Sequence, residues 1–145
     1  MEELSNPSQK NSVYFPTREE LKEWAEKLLA QNFPFLPLID EVWVDDTLPC
    51  FEVTRIHPDC QQDLHAAAAS VFYKVNKNHR RVDGNKRSSI ICMYLLYLLN
   101  GWKLECTQQE IEEQALAIAA TQGNSETMML PKVKNFLFQH AVRLE

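Results

Sequence analysis

Nine consecutive residues concentrate the chain's chemistry: His79-Arg80-Arg81-Val82-Asp83-Gly84-Asn85-Lys86-Arg87. A histidine that titrates near neutral pH, a carboxylate, a Gly-Asn pair and four basic side chains stand directly before an apolar run, Ser88 to Trp102. The run reads as a helix over 85–99. The first N–H groups of a helix have no internal partner and carry partial positive charge, so they attract anions. Lys86 and Arg87 in that first turn oppose the helix dipole, which favours an anion beside them. Asp83 offers a hard oxygen suited to magnesium, which commonly takes one carboxylate together with substrate phosphates. His79 is a candidate general base. Phosphate clamp, metal carboxylate and base are together the parts for moving a group from a nucleotide to a hydroxyl. The same residues could also make a capped turn with a solvated basic patch.

These groups need a scaffold. The chain has 145 residues, 45% of them hydrophobic and 24% charged, which suggests one core and one domain over 15–145, behind a polar tail expected to be disordered over 1–14. A net charge of −5 makes it a poor general binder of nucleic acid or anionic membrane. Ile90 to Leu99 is too short to span a bilayer, and no apolar leader core precedes it. Cys50, Cys60, Cys92 and Cys106 show no two-residue spacing, so free thiols in a reducing, cytoplasmic setting are expected.

Thr17-Arg-Glu-Glu20 is a capping-box pattern, and Leu21, Trp24, Leu28 and Leu29 follow at helical spacing, predicting a helix over 17–32. Residues 42–45 and 50–54 flank the turn formers Asp45 and Asp46, predicting a short β-hairpin. Helices are expected over 59–77, 107–121 (capping box Thr107–Glu110, closed by Gly123) and 131–143, with Pro131 in the first turn of the last. Asn100-Gly101 should cap the central helix. His57, His65 and His140 read as surface or helix-end residues, and Trp24, Trp43 and Trp102 as packing residues. The expected fold class is mainly α: a helical bundle around a buried central helix, with one short hairpin.

The nine-residue stretch resembles the motif of the Fic/Doc family, His-x-Phe-x-Asp/Glu-Gly-Asn-x-Arg. The similarity extends through "AAAASVFYKVNKNH", "SSIICMYLLYLLNGW" and "EIEEQALAIAATQG", covering roughly residues 60 to 140. The resemblance implies a Fic/Doc-like bundle in which His79 is the base, Asp83 holds Mg2+, Gly84 and Asn85 form the anion loop with Lys86, and Arg87 binds phosphate. It also implies a hairpin flap that pins a target peptide, for which Val42, Trp43, Val44, Phe51 and Val53 are the candidates. Members that transfer AMP usually carry Gly at the position of Lys86 and a second Arg at that of Ile90. The Asn-Lys-Arg version is similar to the Doc (death-on-curing) branch. Its toxins are kinases that move the γ-phosphate of ATP to elongation factor Tu, stop translation and are countered by an antitoxin. The alternatives are a Fic-type AMP or nucleotidyl transferase and a non-catalytic interaction protein on the same fold; Arg81, standing where the pattern has Phe, supports the latter.

Overall fold

The computed structural model describes residues 12–32, 39–78, 85–122 and 125–144. Among them the chain is mainly helical, in the order α1 (Arg18–Asn32), α2 (Glu41–Ile56), α3 (Pro58–Gln61), α4 (Leu64–Asn76), α5 (Asn85–Leu99), β1 (Trp102–Leu104), α6 (Gln108–Ala120), α7 (Glu126–His140) and β2 (Ala141–Arg143). The helix expected over 85–99 is α5, and most of it is buried from Ser88 to Tyr97.

The centre is a helix pair rather than one helix. α4 packs along α5, and its Ala67–Val71, Phe72, Tyr73, Val75 and Asn76 are buried as deeply as the α5 residues. The run of small alanine side chains allows this close approach. α2 and α7 cover α4, α1 packs on α5, and α6 touches both central helices.

The hairpin expected over 42–54 is corrected: the segment is helix α2. Its buried positions are Trp43, Val44, Thr47, Phe51 and Thr54, a helical stripe with two threonines in it. Each threonine meets its polar requirement locally. Thr47 Oγ1 donates to the Trp43 carbonyl at 2.9 Å and Thr54 Oγ1 to the Cys50 carbonyl at 2.8 Å. Asp40 caps the helix by accepting from Trp43 N at 2.9 Å. Pro49 stands inside α2 and breaks the ladder only at the Asp45 carbonyl. Val42, Trp43, Val44, Phe51 and Val53 therefore form no flap strand. Trp43, Val44 and Phe51 are core residues, while Val42 and Val53 are exposed.

The helix expected over 59–77 is split at Asp63, whose carboxylate accepts from His65 N and Ala66 N, both at 3.1 Å. An Asp that offers the backbone such bonds starts a new helix instead of continuing the old one. α7 begins five residues before Pro131, because its start is tied to α4: the Tyr73 hydroxyl meets Ser125 Oγ at 2.7 Å, and Lys74 pairs with Glu126.

The strand pair joins two segments far apart in sequence. β1 and β2 run antiparallel with Trp102 opposite Arg143 and Leu104 opposite Ala141. Gly101, at φ +80°, makes the turn out of α5 in a conformation that side chains other than glycine's resist. Both expected capping boxes form, at Thr17–Glu20 and Thr107–Glu110. α6 ends at Ala120, and Gly123 lies outside the described residues.

Of the expected tail over 1–14, residues 1–11 lie outside the described residues. Val13 N donates to the Gln61 carbonyl at 2.9 Å, and Asn100 pairs with both the N–H and the carbonyl of Tyr14. Cys50, Cys60, Cys92 and Cys106 are free thiols. Among the described residues, no helix is long and apolar enough to cross a membrane.

Candidate functional site at the start of the central helix

The nine-residue motif ends inside α5. Asn85 is the first helical residue, and Lys86 and Arg87 follow in the first turn, both exposed. No acidic residue occupies that turn. The first turn therefore combines the helix N-terminus with two exposed basic residues, and the buried body of α5 lies behind it. That arrangement suits an anion with several oxygens. His79, Asp83 and Gly84, the candidate base, metal ligand and anion-loop glycine, lie outside the described residues, as do Arg81 and Val82. Among the described residues, no group of three His, Cys, Asp or Glu side chains could hold a metal ion.

Beneath the helix start is a layer of buried polar side chains. Ser88 and Ser89 are buried at the head of the apolar run. Ser89 Oγ donates to the Lys86 carbonyl at 2.6 Å. Ser88 Oγ accepts from Trp43 Nε1 at 3.0 Å. Asn76 Nδ2, at the end of α4, donates to the Ala115 carbonyl of α6 at 3.0 Å. The Asn85 side-chain amide donates to the Asn78 carbonyl, joining the two described residues on either side of positions 79–84. The hydroxyl-rich "SS" before an apolar helix, and an asparagine next to His79, are the sequence signals for this layer.

A second polar centre lies at the other end of α4. His65 Nδ1 meets the buried Tyr97 hydroxyl at 2.9 Å, and the rings of Trp102 and Phe138 stand edge-on to the imidazole with centroids 5.5 and 5.2 Å away. The helix-end position expected for His65 holds, at the start of α4, and the side chain there is half-buried among aromatic rings. Burial pushes its pKa down, outweighing the attraction of Asp63, and Lys134 acts in the same direction as burial. The native state therefore holds fewer protons at this site than the unfolded chain. Its contribution to stability is present above the ordinary histidine value of about 6.5 and is lost as pH falls below it. We expect the urea midpoint of the wild type to fall between pH 7.5 and pH 5, and His65→Gln to remove part of that slope. Parallel pH curves for the two proteins would show that His65 does not titrate on unfolding.

A cleft of about 470 Å³ lies between α2, α4 and α7, lined by Val53, His57, Cys60, Ala66 and Leu130 and edged by the Lys74–Glu126 and Lys134–Asp63 ion pairs. It is separate from the described part of the motif. No protein-family model, curated protein or solved structure matches this chain.

Proposed function

We propose that the chain is a Doc-like phosphotransferase, a toxin that moves the γ-phosphate of ATP to a serine or threonine hydroxyl of a protein target, with elongation factor Tu as a candidate and an antitoxin protein as its counterpart. The observation that carries this reading is the place of Asn85, Lys86 and Arg87. The end of a motif built for nucleotide phosphates coincides with the first turn of a core-buried helix that contains no acidic side chain in that turn.

In this reading His79 takes the proton from the target hydroxyl as its oxygen attacks the γ-phosphorus. The new O–P bond forms while the bond from that phosphorus to the β,γ-bridging oxygen breaks, and ADP leaves with the electron pair. Arg87, Lys86 and the N–H groups at the start of α5 hold the phosphate oxygens and stabilise their charge. Asp83 is the one carboxylate of the motif. One carboxylate together with phosphate oxygens is a donor set that suits Mg2+, whose charge would offset that of the phosphates.

Ile90 favours γ-phosphate over AMP transfer. The position at which AMP-transferring members carry a second Arg is here a buried apolar side chain, 2% exposed, so it supplies no cation to a further phosphate.

The test uses Mg-ATP labelled at either the α or the γ phosphate, incubated with the full chain and a bacterial lysate. The expected outcome is a protein band labelled from γ only. A band labelled from α would establish nucleotidyl transfer instead. No band, together with no ATP binding, would point to the non-catalytic interaction protein.

A further inference from the structure

Two elements, α4 with Asn78 and α5, flank residues 79–84 in sequence, and both are tied to the same stretch of α2. On the incoming side, Asn78 Nδ2 donates to the Asp46 carbonyl at 2.7 Å, and Asn78 N donates to the Val75 carbonyl at 3.2 Å. On the outgoing side, Trp43 Nε1 donates to Ser88 Oγ at 3.0 Å, with Trp43 wholly buried and Ser88 1% exposed. The two sides are joined to each other by the bond from the Asn85 amide to the Asn78 carbonyl. Trp43 and Asp46 are three residues apart in a helix, so they lie on one face about one turn apart. Pro49 supplies no N–H to the Asp45 carbonyl, so the α2 ladder is interrupted beside the carbonyl that Asn78 engages.

We propose that Asn78 and Trp43 are positioning residues for the phosphate site, bracing Asn85 and the first turn of α5 against α2. This proposal rests on the phosphotransferase reading for its consequence in catalysis. The brace has a chemical purpose in that reading. Donors aimed at a transferring phosphate act only when held close to the productive geometry, and a displacement near 1 Å can cost about 10²-fold in rate. The first turn of α5 is the end of a buried helix, and a helix end is held only as well as its neighbours hold it. Tying Asn78 and Ser88 to a third, core-packed helix fixes that end. Asn78 sets the acceptor for Asn85, while Trp43 sets the orientation of the Ser88 turn. Neither side chain needs to touch the nucleotide.

The experiment compares the full-length wild type with Asn78→Ala and Trp43→Phe. It measures steady-state transfer of γ-phosphate per folded molecule, the KM for ATP, and the side-chain amide resonance of Asn85 in 15N-labelled protein. Asn78→Ala keeps the backbone carbonyl but releases it from α2. Trp43→Phe keeps an aromatic ring but removes the donor to Ser88. The expected result for each variant is a kcat lowered by about ten-fold or more with the KM for ATP changed by less than about three-fold, and a moved Asn85 amide resonance in Asn78→Ala. A merely structural role would reduce the folded fraction and leave kcat per folded molecule unchanged; a kcat within about two-fold of wild type in Asn78→Ala would overturn the proposal. Should Trp43→Phe not fold, Asn78→Ala decides alone. Should the wild type transfer no phosphate, the phosphotransferase reading fails by that measurement. The brace is then judged by the Asn85 resonance: a shift in Asn78→Ala supports it, and an unmoved resonance overturns it.

Discussion

His79→Ala is expected to lower γ-phosphate transfer by about 10²–10⁴-fold, the usual contribution of a positioned general base. ATP affinity should change little, because in the proposed site the phosphate is held by Arg87, Lys86 and the α5 N-terminus, not by the imidazole. Arg87→Ala should do the reverse, weakening ATP binding first. The split between the two variants is the informative result. A single-turnover assay with γ-labelled ATP gives the chemical step, and equilibrium titration with ATP gives the binding. If His79→Ala transfers at the wild-type rate, the base lies elsewhere. If it loses binding and rate together, His79 supports the site's structure and does not act as the base.

The reason to expect this division lies in what positions each group. Arg87 is in the first turn of a helix whose next residues, Ser88 to Met93, are buried without exception. Its backbone is fixed by the core. His79 belongs to the segment between Asn78 and Asn85, whose ends are joined by a hydrogen bond and tied to α2. The phosphate-binding part of the proposed site is thus carried by the most buried helix pair, and the proton-transfer part by the connection between its members.

Much of this frame was legible in the sequence, for physical reasons that differ from element to element. α1 and α6 announce themselves by capping boxes, in which the side chains that read as a pattern are the ones that make the bonds. α5 is legible because a run so apolar can be satisfied only by burial. α2 was misread because two of its inward positions are threonines and one of its outward positions is proline, so neither hydropathy nor propensity favoured a helix. Besides its local bond to the Cys50 carbonyl, the Thr54 hydroxyl on the buried stripe meets Ser70 Oγ, at 2.9 Å, on α4. That partner is 16 residues away and has no local trace. The strand pair was missed for the same reason: three residues at 102–104 find their partner at 141–143, and nothing short-range marks such a pairing. In the candidate site, the charged motif was visible at once. The neutral groups beneath it, Trp43, Asn76, Asn78, Ser88 and Ser89, leave at most the trace of the serine pair and Asn78, because their roles exist only after α2, α4, α5 and α6 have met.

The centrality of α4 leads to the largest expected effect on stability. Phe72 is wholly buried on a helix that contacts α2, α3, α5, α6 and α7. Truncation to alanine removes the ring from a position surrounded by helices that are themselves held by other contacts. Tyr73, Lys74 and Asn76 on the same helix are bonded to Ser125, Glu126 and the Ala115 carbonyl, so α4 cannot shift into the void without breaking those ties. The cavity therefore stays largely open, and Phe72→Ala should cost about 3–5 kcal/mol, the range for deleting a core aromatic. Against a total stability of roughly 5–15 kcal/mol, this leaves the protein marginal or partly unfolded. Leu116→Ala, at a position 54% exposed on α6, provides the contrast and should change stability by no more than about 0.5 kcal/mol. Guanidinium unfolding followed by far-UV circular dichroism reads both. A cost below about 1 kcal/mol for Phe72→Ala would mean that the bundle closes around the missing ring. In that case α4 would not be the fixed post against which the start of α5, and with it the proposed phosphate site, is held.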